Sequence, residues 1–209
     1  MLLAGPAFAA PFAVQLGDAK IGLDAPPGFA DTGFTGSPRL QELAEALTAA
    51  SNRILLFAIA DTDLRRFMVG DPPELRRYMI AVTPRGLERE RVTAGAFNAF
   101  VGESLRELGQ PPATPDFPKY LDSRPVGAAS LLAELRKDGD VVSVLQGTRV
   151  KGCFFERSQY LLSTTTLMLV RGRALNLSVY TQYEDAADLD WIRATTVRWI
   201  EELKRLNAR

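Results

Sequence analysis

The fold is decided by two neighbouring apolar runs, SQYLLSTTTLMLV at residues 158–170 and ALNLSVYTQY at residues 174–183. The short connection between them, Arg171-Gly172-Arg173, is typical of a tight antiparallel hairpin. The first run has apolar side chains on both faces, which predicts a central strand covered above and below. The second run has one apolar and one polar face, which predicts a half-exposed strand near a sheet edge.

Further strands and helices are predicted outward from this hairpin. Strands are expected at residues 20–23, 53–60, 77–83 and 141–150. Helices are expected from Pro38 to about residue 51, at 93–108, and after a cap at Asp185 or Asp188. Residues 61–71 form a connector with one helical turn. The apolar stripe of the last helix predicts that it packs on the sheet.

One segment has two interpretations. Residues 128–136 are assigned to a short helix because of the spacing of Leu131, Leu132 and Leu135. The alternative is the first arm of a hairpin that turns at Asp138-Gly139.

With either interpretation, residues 11–209 are expected to form a single α+β domain. Its mostly antiparallel β-sheet would have helices packed on both faces, as an α/β/α sandwich, and would end in a long hairpin and a docked helix.

The composition excludes several classes of site. The 209 residues contain no histidine and one cysteine, Cys153, so a His-based triad and a His/Cys zinc site cannot form. Lys+Arg and Asp+Glu each total 25, which gives no excess of positive charge for nucleic-acid binding. The apolar neighbours of Cys153 indicate a buried, inert thiol. No cofactor and no metal are expected.

The N-terminal sequence bears on the compartment. Residues 1–10 resemble the end of a signal peptide, with Ala7-Phe8-Ala9 as the cleavage site, although the positive n-region is missing. We therefore predict a periplasmic or secreted protein; the alternative is a cytoplasmic protein that begins with an apolar arm. No run of residues is long and apolar enough to span a bilayer.

The most enzyme-like motif is Asp61-Thr62-Asp63 at the end of an apolar run. Haloacid-dehalogenase-type phosphatases place two aspartates there, one as nucleophile and one as acid/base, which suggests a Mg-dependent hydrolase. Against this, Arg65 stands where that family has Thr or Val, and the late acidic motif is missing. The alternative is that both aspartates simply cap a short helical turn.

Four arginines flank the same connector. Arg65, Arg66, Arg76 and Arg77 could together clamp a carboxylate or phosphate. The alternative is that they form surface ion pairs with the acids nearby. The longest irregular stretch, residues 109–127, contains five prolines and is a candidate lid or contact loop, or else an ordered surface loop.

The chain resembles the PsbP-like group of exported α/β/α sandwich proteins. The resemblance depends on element order and on two stretches: the opening IGLDAPPGF at 21–29, and the closing RALNLSVY at 173–180 with its following helix. Members of that group act as binding or assembly factors without a common active site, so the resemblance implies an accessory function. We therefore expect an exported binding protein for a protein or small ligand. The alternative is the hydrolase that uses Asp61 and Asp63.

Overall fold

The computed structural model describes residues 11–114, 116–150 and 159–208, and its centre is a seven-stranded antiparallel sheet with the order β3-β4-β5-β9-β8-β7-β6. A separate hairpin, β1–β2, packs against this sheet. The strands are β1 (Phe12–Leu16), β2 (Ala19–Leu23), β3 (Phe29–Asp31), β4 (Asn52–Ala60), β5 (Arg77–Pro84), β6 (Ala129–Lys137), β7 (Val141–Val150), β8 (Gln159–Val170) and β9 (Arg173–Tyr183). The helices are α1 (Pro38–Ala46), α2 (Asp61–Met68), α3 (Ala94–Leu105), α4 (Phe117–Asp122) and α5 (Ala186–Leu206).

Helices lie on both faces of the large sheet, so the predicted fold class is confirmed. On one face, α5, α4 and the β1–β2 hairpin enclose the largest apolar cluster, which contains Trp199, Leu162 and Met79. On the other face, α1 and α2 cover β4 and β5, and α3 covers the Leu167 end of β8. Each element thereby removes its own apolar stripe from water, which is the main favourable contribution to folding.

The β8–β9 hairpin forms as predicted. Its two central residues, Arg171 and Gly172, have φ angles of 51° and 75°, as a type I′ turn requires. Strand β8 lies inside the sheet, between β7 and β9. The even-numbered side chains from 162 to 170 are all buried. On the opposite face Leu167 is buried, whereas Leu161 is partly exposed.

The last helix, α5, follows β9, and its C-terminal end contacts strand β2 near the start of the described residues. The Asp185 carboxylate caps it by accepting a hydrogen bond from the main-chain N–H of Ala187 at 2.7 Å. At its other end, the Asn207 side chain exchanges two 2.9 Å hydrogen bonds with the main chain of Gly22 in β2. A Cβ atom on Gly22 would lie 3.3 Å from the Cβ of Leu206, so glycine permits this close approach.

Four local predictions are wrong. Residues 129–137 are strand β6 and not a helix, which confirms the hairpin alternative. Strand β9 lies between β5 and β8 and not near an edge. The connector after β4 holds a helix of two turns, α2, and the supposed irregular stretch 109–127 contains α4. Strands β1 and β3 were not predicted. Among the described residues, no helix has the length and apolar character needed to cross a membrane.

Candidate functional site

The site is a cleft of about 580 Å³ beside the outer edge of β4. Its floor is the stretch from Asn52 to Phe57, and its opposite wall is α1 with the turn that follows it. Residues 31–37 close one end, and Arg85 lies at the other. This volume is in the range of pockets that bind small molecules or short segments of chain.

The cleft exists because β3 pairs with only the last three residues of β4 and then turns away from it. Strand β3 pairs with Ala58–Ala60 only. At the next position, Thr32 donates two hydrogen bonds to the carbonyl of Phe57, from its N–H at 2.8 Å and from its hydroxyl at 3.0 Å. The chain then turns into a short 3₁₀ helix, Gly33–Thr35. Among the described strands, none pairs with Asn52–Leu56 on this side.

An acidic group marks the end of the cleft where β3 leaves. The Asp31 carboxylate accepts hydrogen bonds from the main-chain N–H groups of Gly33, at 3.1 Å, and of Phe57. Burial raises the pKa of Asp31, and these two hydrogen bonds oppose the rise without cancelling it. Three residues after Asp31, in the segment that closes this end of the cleft, the Phe34 side chain is 72% exposed. Aromatic residues are enriched at protein contact surfaces.

A basic group marks the other end. Arg85 is exposed, and its Nε donates to the carbonyl of Ala50 at 3.2 Å. The neighbouring Arg53 forms an ion pair with Glu88 and donates to the carbonyl of Gln15 at 3.3 Å. Asp31 thus lies at one end of the cleft and Arg85 at the other. Between them the lining includes apolar residues of β4, Ile54 to Leu56, and the polar residues Gln41 and Glu45 on α1.

The predicted aspartates lie outside this cleft. Asp61 begins α2 and is partly exposed. Asp63 is buried, and each of its carboxylate oxygens accepts one main-chain N–H, from Glu74 at 3.1 Å and from Leu75 at 3.2 Å. Asp63 thus fixes the loop between α2 and β5, in which Leu75 has a φ of 53°. In the described parts of the chain, no three His, Cys, Asp or Glu side chains are grouped as metal ligands would be.

These contacts predict different roles for the two aspartates. We expect Asp63→Ala to lower the free energy of unfolding by about 2 kcal/mol, because two main-chain N–H groups lose their acceptor. Asp61→Ala removes only a charge from a helix N-terminus and should cost about 0.5 kcal/mol. Urea unfolding followed by circular dichroism measures both. Equal losses for the two variants would contradict the structural role given to Asp63.

The four predicted arginines lie on either side of the loop that Asp63 holds. Arg65 is exposed on α2, and Arg66 forms an ion pair with Glu74. Arg76 is 2.7 Å from Glu184, and Arg77 is 2.8 Å from Asp188. Three of the four are thus in ion pairs within the protein. Only the Arg66–Glu74 pair is with one of the nearby acids, Asp61, Asp63, Asp71 and Glu74, that the alternative interpretation names. A joint anion clamp by all four stays a prediction.

The remaining candidates are partly outside the structure. Residues 109–127 lie against β7 through α4, where Leu121 contacts Gly147 so closely that a Cβ there would lie 2.8 Å from it. A role for this loop in binding stays a prediction, and Cys153 lies outside the described residues. The cleft itself was not predicted, and only the Ser37-Pro38 helix start and the apolar run at 53–60 pointed to its two walls.

Two solved structures of Mog1 proteins are similar to this chain. The Saccharomyces cerevisiae Ran-binding protein Mog1p aligns with a TM-score of 0.42 and 12% identity, over 95% of this chain and 94% of that chain. A mutant of the protein Mog1 aligns with a TM-score of 0.40 and 12% identity, over 96% and 94%. No protein-family model and no curated protein matches the sequence.

The predicted location needs a correction. The sequence of residues 1–10 led to the expectation of a periplasmic or secreted protein. The comparison contradicts it, because the similar structures are Mog1 proteins, one of them a Ran-binding protein of Saccharomyces cerevisiae. The periplasmic or secreted location is therefore withdrawn.

Proposed function

We propose that this protein is a non-catalytic accessory protein that binds another protein in the cleft beside β4. The proposal depends chiefly on one observation: the cleft lies along the part of the β4 edge that no described strand pairs with. Open strand edges are ready-made contact surfaces for other chains. The exposed ring of Phe34, on the short helix at one end of the cleft, supplies an aromatic contact.

The geometry around Asp61 and Asp63 favours binding over hydrolysis. A phosphatase of the type considered needs two carboxylates that face the substrate, one of them as nucleophile. Here both oxygens of Asp63 already accept main-chain hydrogen bonds inside the protein. The resemblance to the PsbP-like group, whose members act as binding or assembly factors, agrees with this proposal.

Site-specific photo-crosslinking in cells of the source organism tests the proposal. A photoreactive phenylalanine analogue at Gln41, which is exposed on the α1 wall, should give a discrete adduct with another protein. The same analogue at Glu103, exposed on α3, is the matched control and should give none. A second change, Ala49→Trp, narrows the cleft and should reduce the Gln41 adduct at least about tenfold.

Three results would overturn the proposal. They are the absence of an adduct from Gln41, an adduct of equal yield from Glu103, and an adduct that Ala49→Trp leaves unchanged. A Mg²⁺-dependent phosphatase activity that Asp61→Asn abolishes would also contradict it, in favour of the hydrolase.

A further inference from the structure

The two edges of the large sheet differ in how they are protected. Strand β6, at one edge, has two register shifts and ends with the charged residues Glu134, Arg136 and Lys137. Bulges and charges of this kind discourage other strands from pairing with an edge. Strand β4 has one register shift, no proline and no lysine, and its single charged residue, Arg53, is already in an ion pair with Glu88. The outer half of β4 is thus the less protected edge.

The space beside β4 has the dimensions of a missing strand. The five residues of Asn52–Leu56, which no described strand pairs with on this side, span roughly 17 Å at the usual rise of a β-strand. Strand β3 runs antiparallel to β4 and stops at Asp31, just where the cleft begins. A segment that continued the line of β3 would lie in the cleft and would again be antiparallel to β4, like every other strand pair in this sheet.

The charges at the two ends of the cleft are arranged to suit such a segment. An added antiparallel strand would begin near Asp31 and end near Arg85. The Asp31 carboxylate has main-chain donors only, and burial raises its pKa, so a cationic side chain nearby would stabilise its charged form. Arg85 presents an exposed guanidinium at the far end, which suits a carboxylate.

We propose that the cleft binds an extended segment of the partner protein as an added antiparallel strand beside Asn52–Leu56, with a basic side chain near Asp31 and a carboxylate near Arg85. This inference rests on the proposed function and specifies the chemistry of the partner. Main-chain hydrogen bonds to β4 supply affinity, and the charges at the two ends fix the direction of the segment.

Peptide selection on the full chain tests the charge pattern. A phage-displayed library of random ten-residue peptides, selected on the immobilised protein, should yield sequences with Lys or Arg before a β-alternating stretch and Asp or Glu after it. Asp31→Asn should remove the preference for the leading basic residue and weaken the selected peptides about tenfold. Arg85→Glu should remove the preference for the acidic end, whereas Glu103→Gln, on α3, should change neither.

Backbone methylation of a selected synthetic peptide tests the strand geometry. In a bound strand, alternate amides point toward the neighbouring strand, so N-methylation of one alternate set should weaken binding at least about tenfold and methylation of the other set should not. Hydrogen exchange of residues 52–56 should slow in the complex. A library that yields no binder, a charge pattern that survives both substitutions, or equal effects of the two methylated sets would overturn the inference.

The inference and the proposed function can fail separately. Suppose that Gln41 gives an adduct but that the two sets of N-methylated peptides weaken binding equally. The cleft would then still bind a protein, but the bound segment would not be an added strand. A concentration-dependent dimer that Ala49→Trp disrupts would replace the foreign segment with a second copy of this chain, and would therefore overturn the inference. If Gln41 gives no adduct and the library yields no binding peptide, both the proposed function and the inference are wrong.

Discussion

Trp199→Ala is expected to lower the free energy of unfolding by about 4 kcal/mol, the largest effect of any single change considered. Trp199 is 1% exposed and lies in the middle of α5, against the sheet face that holds the main apolar cluster. Its indole Nε1 also donates to the carbonyl of Asp24 at 2.9 Å. The change would thus leave a large cavity and an unpaired carbonyl below the helix.

Two variants separate these contributions. Trp199→Phe keeps most of the ring and removes the hydrogen bond, so it should cost about 1–2 kcal/mol. Val197→Ala alters an exposed position of the same helix and should change stability by less than about 0.5 kcal/mol. Urea midpoints from circular dichroism compare all three. Similar losses at 197 and 199 would mean that α5 does not dock on the sheet as described.

Asp188→Asn should give the second-largest loss, about 2–3 kcal/mol at neutral pH, because it breaks a buried ion pair. The Asp188 side chain is 3% exposed and lies 2.8 Å from Arg77, whose guanidinium also stacks 4.2 Å from the centroid of the Trp191 ring. Its second oxygen accepts the N–H of Glu184 at 3.0 Å. Arg77 is about one-third exposed, which places the expected loss below that of a fully buried pair.

The loss should depend on pH in a defined direction. Burial by itself raises the pKa of Asp188, but hydrogen bonds from Arg77 and from the main chain of Glu184 and Asp185 outweigh it and lower the pKa. A carboxyl with a lowered pKa in the folded state stabilises the protein above its unfolded pKa of about 4, and this contribution disappears as pH falls through the folded value. The difference between wild type and Asp188→Asn should therefore shrink below about pH 4.

Asp190→Asn is the matched control for this pH dependence. Asp190 is exposed on the same helix. Its replacement should leave the free energy of unfolding nearly unchanged, both at neutral pH and below about pH 4. Denaturant unfolding between pH 2 and pH 8 measures all three proteins. A constant difference across this range would show that the Asp188 carboxylate is not held in its charged form by Arg77.

Elements with a local signal could be predicted from the sequence. The β8–β9 hairpin is an example, since two long apolar runs are joined at Arg171-Gly172, where both residues take positive φ. The start of α1 at Pro38 is another, because Ser and Pro favour the first positions of a helix. In each case the residues from which the element is predicted are the same residues that form its turn or its first helical positions.

The wrong predictions have physical causes. Strand β6 was mistaken for a helix because its register shifts, between Leu131 and Ala133 and between Glu134 and Arg136, break the alternation that identifies a strand. Strand β9 was placed near an edge because Asn176 and Ser178 give it a polar face. Its neighbour β5 comes from a distant part of the chain, and the face that carries these two residues is only partly covered.

The cleft could not be predicted, because no short motif encodes it. Its walls come from residues 31–37, 41–50 and 52–57, together with Arg85. The features that matter are the early end of β3 and the main chain that it leaves unpaired, and both depend on the hydrogen bonds of Thr32 to Phe57. The sequence motif instead predicted a site at Asp61 and Asp63. In the structure Asp61 begins α2, and Asp63 accepts hydrogen bonds from the main chain of the loop before β5.

The contact between Asn207 and Gly22 has a consequence for biosynthesis. These residues are 185 positions apart, so the β1–β2 hairpin leaves the ribosome before α5 and cannot complete its packing until the last turn of α5 has been made. During that interval the apolar side of the nascent hairpin, including Ile21 and Leu23, has no partner from α5. This packing is therefore completed only after all the residues between Gly22 and Asn207 have been translated.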